Sequence, residues 1–297
     1  MTNEAILTIF AIPKAFDGHI GVIQRNAIRS WSQLPGVRIL LLGNEPGTAA
    51  IAEEVDALHL PEIARNEYGT PYVASCFQMA CAESPTGLLA YVNADIILMK
   101  DFVHAVKRVA RRRRPFLLAG QRTNLDLRKP LLFEDDWHLT LSKRAKQEGL
   151  LHGPEAIDFF VFKPGLFVHI PPFAIGRWAW DNWLLHEATR VGATLIDATP
   201  SIRVIHQSHD YNHVGDLKLP LRTGPEAIAN LALSPDPKRW YDLRHASRIL
   251  YPWGLSPAWS PKRLRKRTEV WRREHPRLLA PINGVRRAWR AITRAAG

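Results

Sequence analysis

The chain of 297 residues is poor in cysteine, with only Cys76 and Cys81. Five residues apart on what reads as one helix, they point about 140° away from each other and cannot easily bridge. A disulfide framework is therefore excluded, which fits a reducing compartment. Long apolar runs are missing too. No stretch approaches the roughly 20 apolar residues that a membrane span needs. The start, Met1-Thr-Asn-Glu-Ala, lacks the basic segment and apolar core of a secretion signal. The expected location is cytoplasmic. Internal repeats and low-complexity tracts are also absent.

Acidic residues are scarce at one end. From Lys238 to Gly297 there are 16 Lys+Arg against 3 Asp+Glu, a surplus that exceeds the whole-chain net charge of +12. Residues 1–237 hold 24 Lys+Arg and 25 Asp+Glu and are close to neutral. A basic tail on a neutral body implies an anionic partner: lipid headgroups, nucleic acid or an acidic polymer.

What the chain does have is alternation. Ala5–Ile12, Val37–Leu42, Val55–Leu60, Gly87–Val92 and Pro115–Gly120 are short apolar runs of the kind that form buried strands. Between them lie helical spacings at His19–Trp31, 70–82 and Lys100–Arg111, the second opened by Thr70 as N-cap and Pro71 at the first helical position. Asp136–Gln147 and Trp178–Arg190 read as helices, and Ile157–Phe162, Ala193–Asp197 and Ile202–Ile205 as strands. This order predicts an α/β fold, a Rossmann-like, mostly parallel central sheet with helices on both faces. It occupies residues 1–235. A basic Trp/Pro-rich extension, with a helix at Gly284–Arg294, follows over 236–297, and Tyr251–Lys262 reads as an irregular connector.

In a parallel sheet, ligands bind at the carboxyl ends of the strands. Asn93-Ala94-Asp95 stands there, between the apolar runs GLLAYV and IIL. A carboxylate in that position needs a partner, and a divalent cation is one; a strand-end turn is the other reading. Further on, Trp180-Asp181-Asn182-Trp183 places a carboxylate between two indoles. Partial desolvation raises its pKa and suits a general base, and indole faces stack on pyranose rings; core tryptophans around a helix-start aspartate are the plainer account. His206 directly follows a strand and opens the tract HQSHDYNH. Imidazole suits Mn²⁺ better than Mg²⁺. The His206/His209 spacing also admits zinc, although no cysteine lies nearby to complete a structural zinc pattern.

Over about residues 5–215 these features resemble the GT-A glycosyltransferases. The strand-end Asn93-Ala94-Asp95 is similar to that family's DxD motif, with Asn in place of the first Asp. The resemblance implies a Mn²⁺ or Mg²⁺ cofactor held by Asp95 and His206, with Asn93 near the nucleotide. It implies that Lys14, after the first strand, and Arg65 and Asn66, before the 70–82 helix, face the nucleoside diphosphate sugar. It makes Asp181 the catalytic base of an inverting reaction, with Asp158, Trp180, Asn182 and Trp183 lining the acceptor site.

Two other classes stay open. A sugar nucleotidyltransferase shares the core, but Pro13–Gly18 (PKAFDG) has a single glycine where such enzymes carry a Gly-rich phosphate loop. A non-catalytic carbohydrate- or membrane-binding module would bind sugar with no metal requirement. For the tail, basic residues interleaved with Trp271, Leu278, Trp289 and Ile292 describe a helix in a membrane interface, a solvated surface helix, or a nucleic-acid contact. The first suits a glycan or lipid-linked acceptor and a peripheral position at an anionic membrane surface; no recognition motif supports nucleic acid.

Overall fold

A computed structural model of the chain describes residues 5–208, 223–234 and 241–274. The final helix expected at 284–294, His209 and the rest of the HQSHDYNH tract lie outside the described residues.

The first half is a β/α alternation. It runs β1 (Leu7–Ala11), α1 (Gly18–Ser32), β2 (Val37–Leu42), α2 (Thr48–Glu54), β3 (Leu58–Leu60), α3 (Val73–Glu83), β4 (Leu89–Val92), β5 (Ile96–Ile97), α4 (Lys100–Ala110) and β6 (Phe116–Ala119). Then follow β7 (Arg122–Leu125), α5 (Trp137–Glu148), β8 (Leu150–Leu151), β9 (Phe159–Phe162), α6 (Trp180–Arg190), β10 (Thr194–Asp197), β11 (Val204–Gln207), α7 (Pro225–Leu233), β12 (Arg248–Tyr251) and β13 (Gly254–Pro257).

Nine strands form one sheet in the order β13-β12-β10-β6-β9-β4-β1-β2-β3. β9 runs antiparallel to both β4 and β6, and β13 to β12; the other pairings are parallel. The mostly parallel sheet expected from the alternation is thus present. Strand order reverses beside β1, which has β2 on one side and β4 on the other, and such a reversal opens a crevice at the carboxyl ends. A second sheet, β5-β11-β7-β8, starts from the chain just past β4.

Alternation along the strands assigns the two faces. Leu7, Ile9, Ala90, Val92, Phe159 and Val161 turn toward Ala27 and Trp31 of α1 and Phe102 and Val106 of α4 in one core cluster. Phe10, Tyr91, Phe160 and Phe162 face the other way and meet Phe77 of α3 and Trp180 of α6 as an aromatic layer. Both cysteines are free, and burial pushes the Cys76 thiol up to about 12.

Three expectations change. α3 begins at Val73, two residues beyond the predicted Thr70-Pro71 start, because Pro71 and Tyr72 are taken by bridges to Arg65 and Ala174. The segment read as an irregular connector contains β13, which pairs antiparallel with β12. With those two strands in the large sheet, the compact unit runs to Pro257 rather than 235.

The second unit begins at Ala258. Its described part is a helix, α8 (Pro261–Glu274). The Ser260 hydroxyl accepts from the Arg263 amide at its start, and Arg265 pairs with Glu269 one turn on. Among the described residues no helix is long and apolar enough to cross a membrane.

Candidate active site

The site grows from the short link between β4 and β5. A buried polar network fixes this link from behind. Gln207, at the end of β11, donates from Nε2 to the carbonyls of Ile23 (2.7 Å) and Asp95 (3.1 Å). Its Oε1 accepts from Asn26 of α1 at 2.9 Å. Trp31 Nε1 donates to the Ile96 carbonyl at 2.8 Å, and Ser30 Oγ accepts from the Leu98 amide. Buried polar groups on α1 and β11 therefore satisfy backbone groups of Asp95, Ile96 and Leu98, which would be costly to leave unpaired. Asp95 sits in the turn between β4 and β5, closed by the Ile96 amide donating to the Asn93 carbonyl at 3.0 Å and tied down by this network.

β11 pairs antiparallel with β5 and parallel with β7, and this register sets His206 opposite Ile96 and Asn124. His206 Nε2 comes to 3.4 Å from Asp95 Oδ2. Two donors bound side by side to an octahedral cation at about 2.1 Å stand about 3 Å apart, so the spacing and the O,N donor set fit a divalent cation. Among the described residues no group of three His, Cys, Asp or Glu could hold a metal ion. A divalent cation at this pair would need further ligands to complete its sphere.

A second carboxylate sits one strand away. Asp158 immediately precedes β9, and its carbonyl accepts from the Asn93 amide at 2.9 Å. Its buried carboxylate accepts at Oδ1 from Asn93 Nδ2 at 2.7 Å, and Arg122 Nη1 donates to both of its oxygens, at 2.9 Å to Oδ2 and 3.2 Å to Oδ1. The Gln121–Ile157 bridge brings β7 close enough for this contact. Asn93 and Asp158 are thus bonded to each other; a carboxylate at position 93 would face Asp158 at 2.7 Å, whereas the amide donates to it.

Asp181 lies in the first turn of α6, entered through Ala179 with φ 87°. A left-handed alanine costs about 1–2 kcal/mol, and it aims the start of the helix. Asp181 Oδ1 accepts from the Asn182 amide at 2.8 Å. Burial raises its pKa from 3.8 to about 6, offset in part by that bond and augmented by the nearby charge of Asp158. Among the described residues no cation pairs with it. Tyr91, on β4, is raised well above its usual value by burial, with further contributions from Cys76, Asp95, Asp158 and Asp181. Its surroundings mark where the three carboxylates converge, at the end of β4.

The remaining predicted residues are placed as follows. Lys14 follows β1 with its side chain exposed, and its backbone is clamped by the Gln24 amide on both N–H and C=O. Arg65 is bidentate to Glu45 (2.9 and 3.0 Å) and donates to the Gly69 carbonyl. Asn66 donates to Glu226 of α7 at 2.6 Å and accepts from the amides of Tyr68 and Thr70. Both side chains are occupied by the protein itself. Trp180 and Trp183, expected to line the acceptor site, are 7% and 8% exposed. Trp180 packs edge-on to Tyr91, and Trp183 lies against Phe173, so both are core. The half-exposed indole in this region is Trp178, at 41%. Asn182 donates to the Tyr241 carbonyl and anchors α6.

Sequence reasoning missed Arg122, Tyr91, Gln207 and Asn26. Gln207 had a signal, a polar side chain ending an apolar strand; Arg122 had none, because its partner lies 36 residues away.

No family model and no curated protein matches the chain. Solved structures with a similar chain path include a mannosyltransferase from Pyrobaculum calidifontis in complex with GDP-Man and Mn²⁺, at 13% identity and TM-score 0.45, covering 78% of this chain and 75% of that one. Glucosyl-3-phosphoglycerate synthase from Mycobacterium tuberculosis, with Mn²⁺, UDP and phosphoglyceric acid, is 14% identical at TM-score 0.47, over 79% and 81%. TarS 1–349 of S. aureus, in complex with UDP-GlcNAc, is 9% identical at 0.47, over 71% and 61%. At these identities and scores they assign no residue of this chain a role.

Proposed function

We propose that this protein is a GT-A type glycosyltransferase that moves a sugar from a nucleoside diphosphate sugar to a hydroxyl of a glycan or lipid-linked acceptor, using a divalent cation. The observation that carries this reading is the approach of His206 to Asp95 at the carboxyl end of β4, next to the strand-order reversal. Asp95 and His206 would hold Mn²⁺ or Mg²⁺, whose charge offsets that of a departing diphosphate.

The chain's own groups then divide the work. Asp181, ionised above about pH 6, accepts the proton of the attacking hydroxyl. Its Oδ1 is engaged by the Asn182 amide, which orients the carboxylate and leaves Oδ2 to take the proton. Arg122 and Asn93 hold Asp158 in place and spread its charge, which keeps the base from rising further. Exposed Lys14 is available to a phosphate. Trp178 offers the acceptor sugar the apolar face that buried Trp180 and Trp183 cannot.

The test is thermal-shift screening of the full chain with UDP, GDP and CDP, each with and without Mn²⁺. One nucleotide should stabilise the protein only when Mn²⁺ is present; at a hundred times Kd the gain is about 2.7 kcal/mol. Stabilisation equal in EDTA and in Mn²⁺ would point to a metal-independent binding module instead.

A further inference from the structure

Away from the site, α4 carries a surface that glycosyl transfer does not use. His104, Lys107, Arg108 and Arg111 are exposed, and Arg113 and Arg114 follow in the turn before β6. Residues 103–116 (VHAVKRVARRRRPF) contain no acidic residue. Among the described residues, Lys107, Arg111, Arg113 and Arg114 make no ion pair, so their like charges repel without compensation.

A hairpin tip lies against this cluster. β12 and β13 are joined by Pro252-Trp253, and Tyr251 pairs with Gly254 across the two-residue turn. Arg108 Nη1 donates to the carbonyls of Tyr251 (2.8 Å) and Pro252 (2.6 Å), which fastens the turn to the end of α4. Trp253 is 79% exposed, and the Tyr251 ring stacks flat against it, with centroids 4.8 Å apart at 8°. The segment 248–257 (RILYPWGLSP) also lacks acidic residues. An ordered, exposed indole is thus anchored by one arginine and neighboured by further unpaired cations.

We propose that the end of α4 and the β12–β13 turn form a docking face for an anionic lipid surface, with Trp253 entering the headgroup layer and Lys107, Arg111, Arg113 and Arg114 meeting the lipid charges. An indole is amphipathic and settles at the boundary of headgroup and acyl chain, while cations near it gain from the surface potential. Nucleic acid would need stacking or base-reading positions as well as charge, and Tyr251 already covers one face of the indole. This face lies within the unit that ends at Pro257 and is independent of the reading of the active site.

The test is sedimentation of the full-length protein with vesicles of phosphatidylglycerol and phosphatidylcholine, against vesicles of phosphatidylcholine alone, at fixed salt. Binding to the anionic vesicles only is expected. Each basic residue in reach of such a surface strengthens binding about fivefold, so Arg111→Gln/Arg113→Gln/Arg114→Gln should weaken it about a hundredfold with an unchanged melting temperature. Trp253→Ser should weaken it by about threefold to tenfold. Arg263→Gln/Arg265→Gln, in the extension, should leave the effect of the Arg111–Arg114 changes intact. The proposal is overturned if the triple variant sediments like the parent, if neutral vesicles bind equally well, or if the triple variant loses affinity for single-stranded DNA by a larger factor than for vesicles.

Discussion

The loops after β2 and β3 and the elements around the end of β4 handle charge in opposite ways. In the first region Arg65 pairs with Glu45, and Asn66 reaches Glu226, which is itself paired with Arg177. In the second, Asp181 is partly buried with no cation beside it among the described residues, and Asp95 faces an imidazole. Matched pairs hold loops together at little net gain or loss. A desolvated carboxylate works against folding, and its retention is a sign of chemistry. The comparison separates architecture from function among residues that look alike in sequence.

Replacing the unmatched carboxylate should have the largest effect. Asp181→Asn is expected to lower kcat by about 10²–10⁴ and yet raise stability. With its pKa raised in the fold, the aspartate contributes nothing unfavourable below about pH 4, and its cost grows as pH rises through about 6. That cost reaches about 3 kcal/mol, so the melting temperature of the variant should exceed that of the parent above pH 6 and converge with it near pH 4. In the parent, kcat/KM should fall on the acid side with a midpoint near pH 6. An acid limb near pH 4 would remove Asp181 from the role of base.

Arg122 tests the intermediate case, a carboxylate beside the site that does have its cation. Arg122→Met leaves buried Asp158 without it, at an expected cost of about 2–4 kcal/mol in denaturant melts. Because the charge of Asp158 bears on Asp181, the acid limb should also move above pH 6. Adding Asp158→Asn should recover most of the stability and return the limb downward; a purely structural pair would restore stability and leave the limb where it was.

In the matched region the effect should be small. Arg65→Lys keeps the charge but loses the bidentate grip on half-buried Glu45, for about 0.5–1 kcal/mol. Nucleotide affinity should stay within about twofold of the parent, since the guanidinium is already engaged. A larger loss would return Arg65 to the nucleotide site that the GT-A resemblance implied.

This contrast also explains what sequence could and could not reveal. Strands β1, β2, β4, β6 and β9 were legible because both of their faces are buried and they read as unbroken apolar runs. Asp95, Asp181 and His206 stood out because each interrupts or ends such a run. The fates of Arg65 and Asn66 were not legible, because their partners Glu45 and Glu226 lie 20 and 160 residues away. Trp180 and Trp183 at helical spacing suited either core or ligand, and Tyr91 and Phe173 decided for core. The β12–β13 hairpin was missed because a Pro-Trp-Gly turn leading into an edge strand carries the composition of a connector.

The most direct measurement counts bound Mn²⁺ by the loss of its free electron paramagnetic resonance signal, in the presence of the nucleoside diphosphate that stabilises the protein. The parent and Arg65→Lys should each bind one ion per chain, and Asp95→Ala and His206→Ala should each bind it at least about tenfold more weakly, with the fold intact by circular dichroism. An Asp95→Ala protein that takes up Mn²⁺ as tightly as the parent would contradict the account.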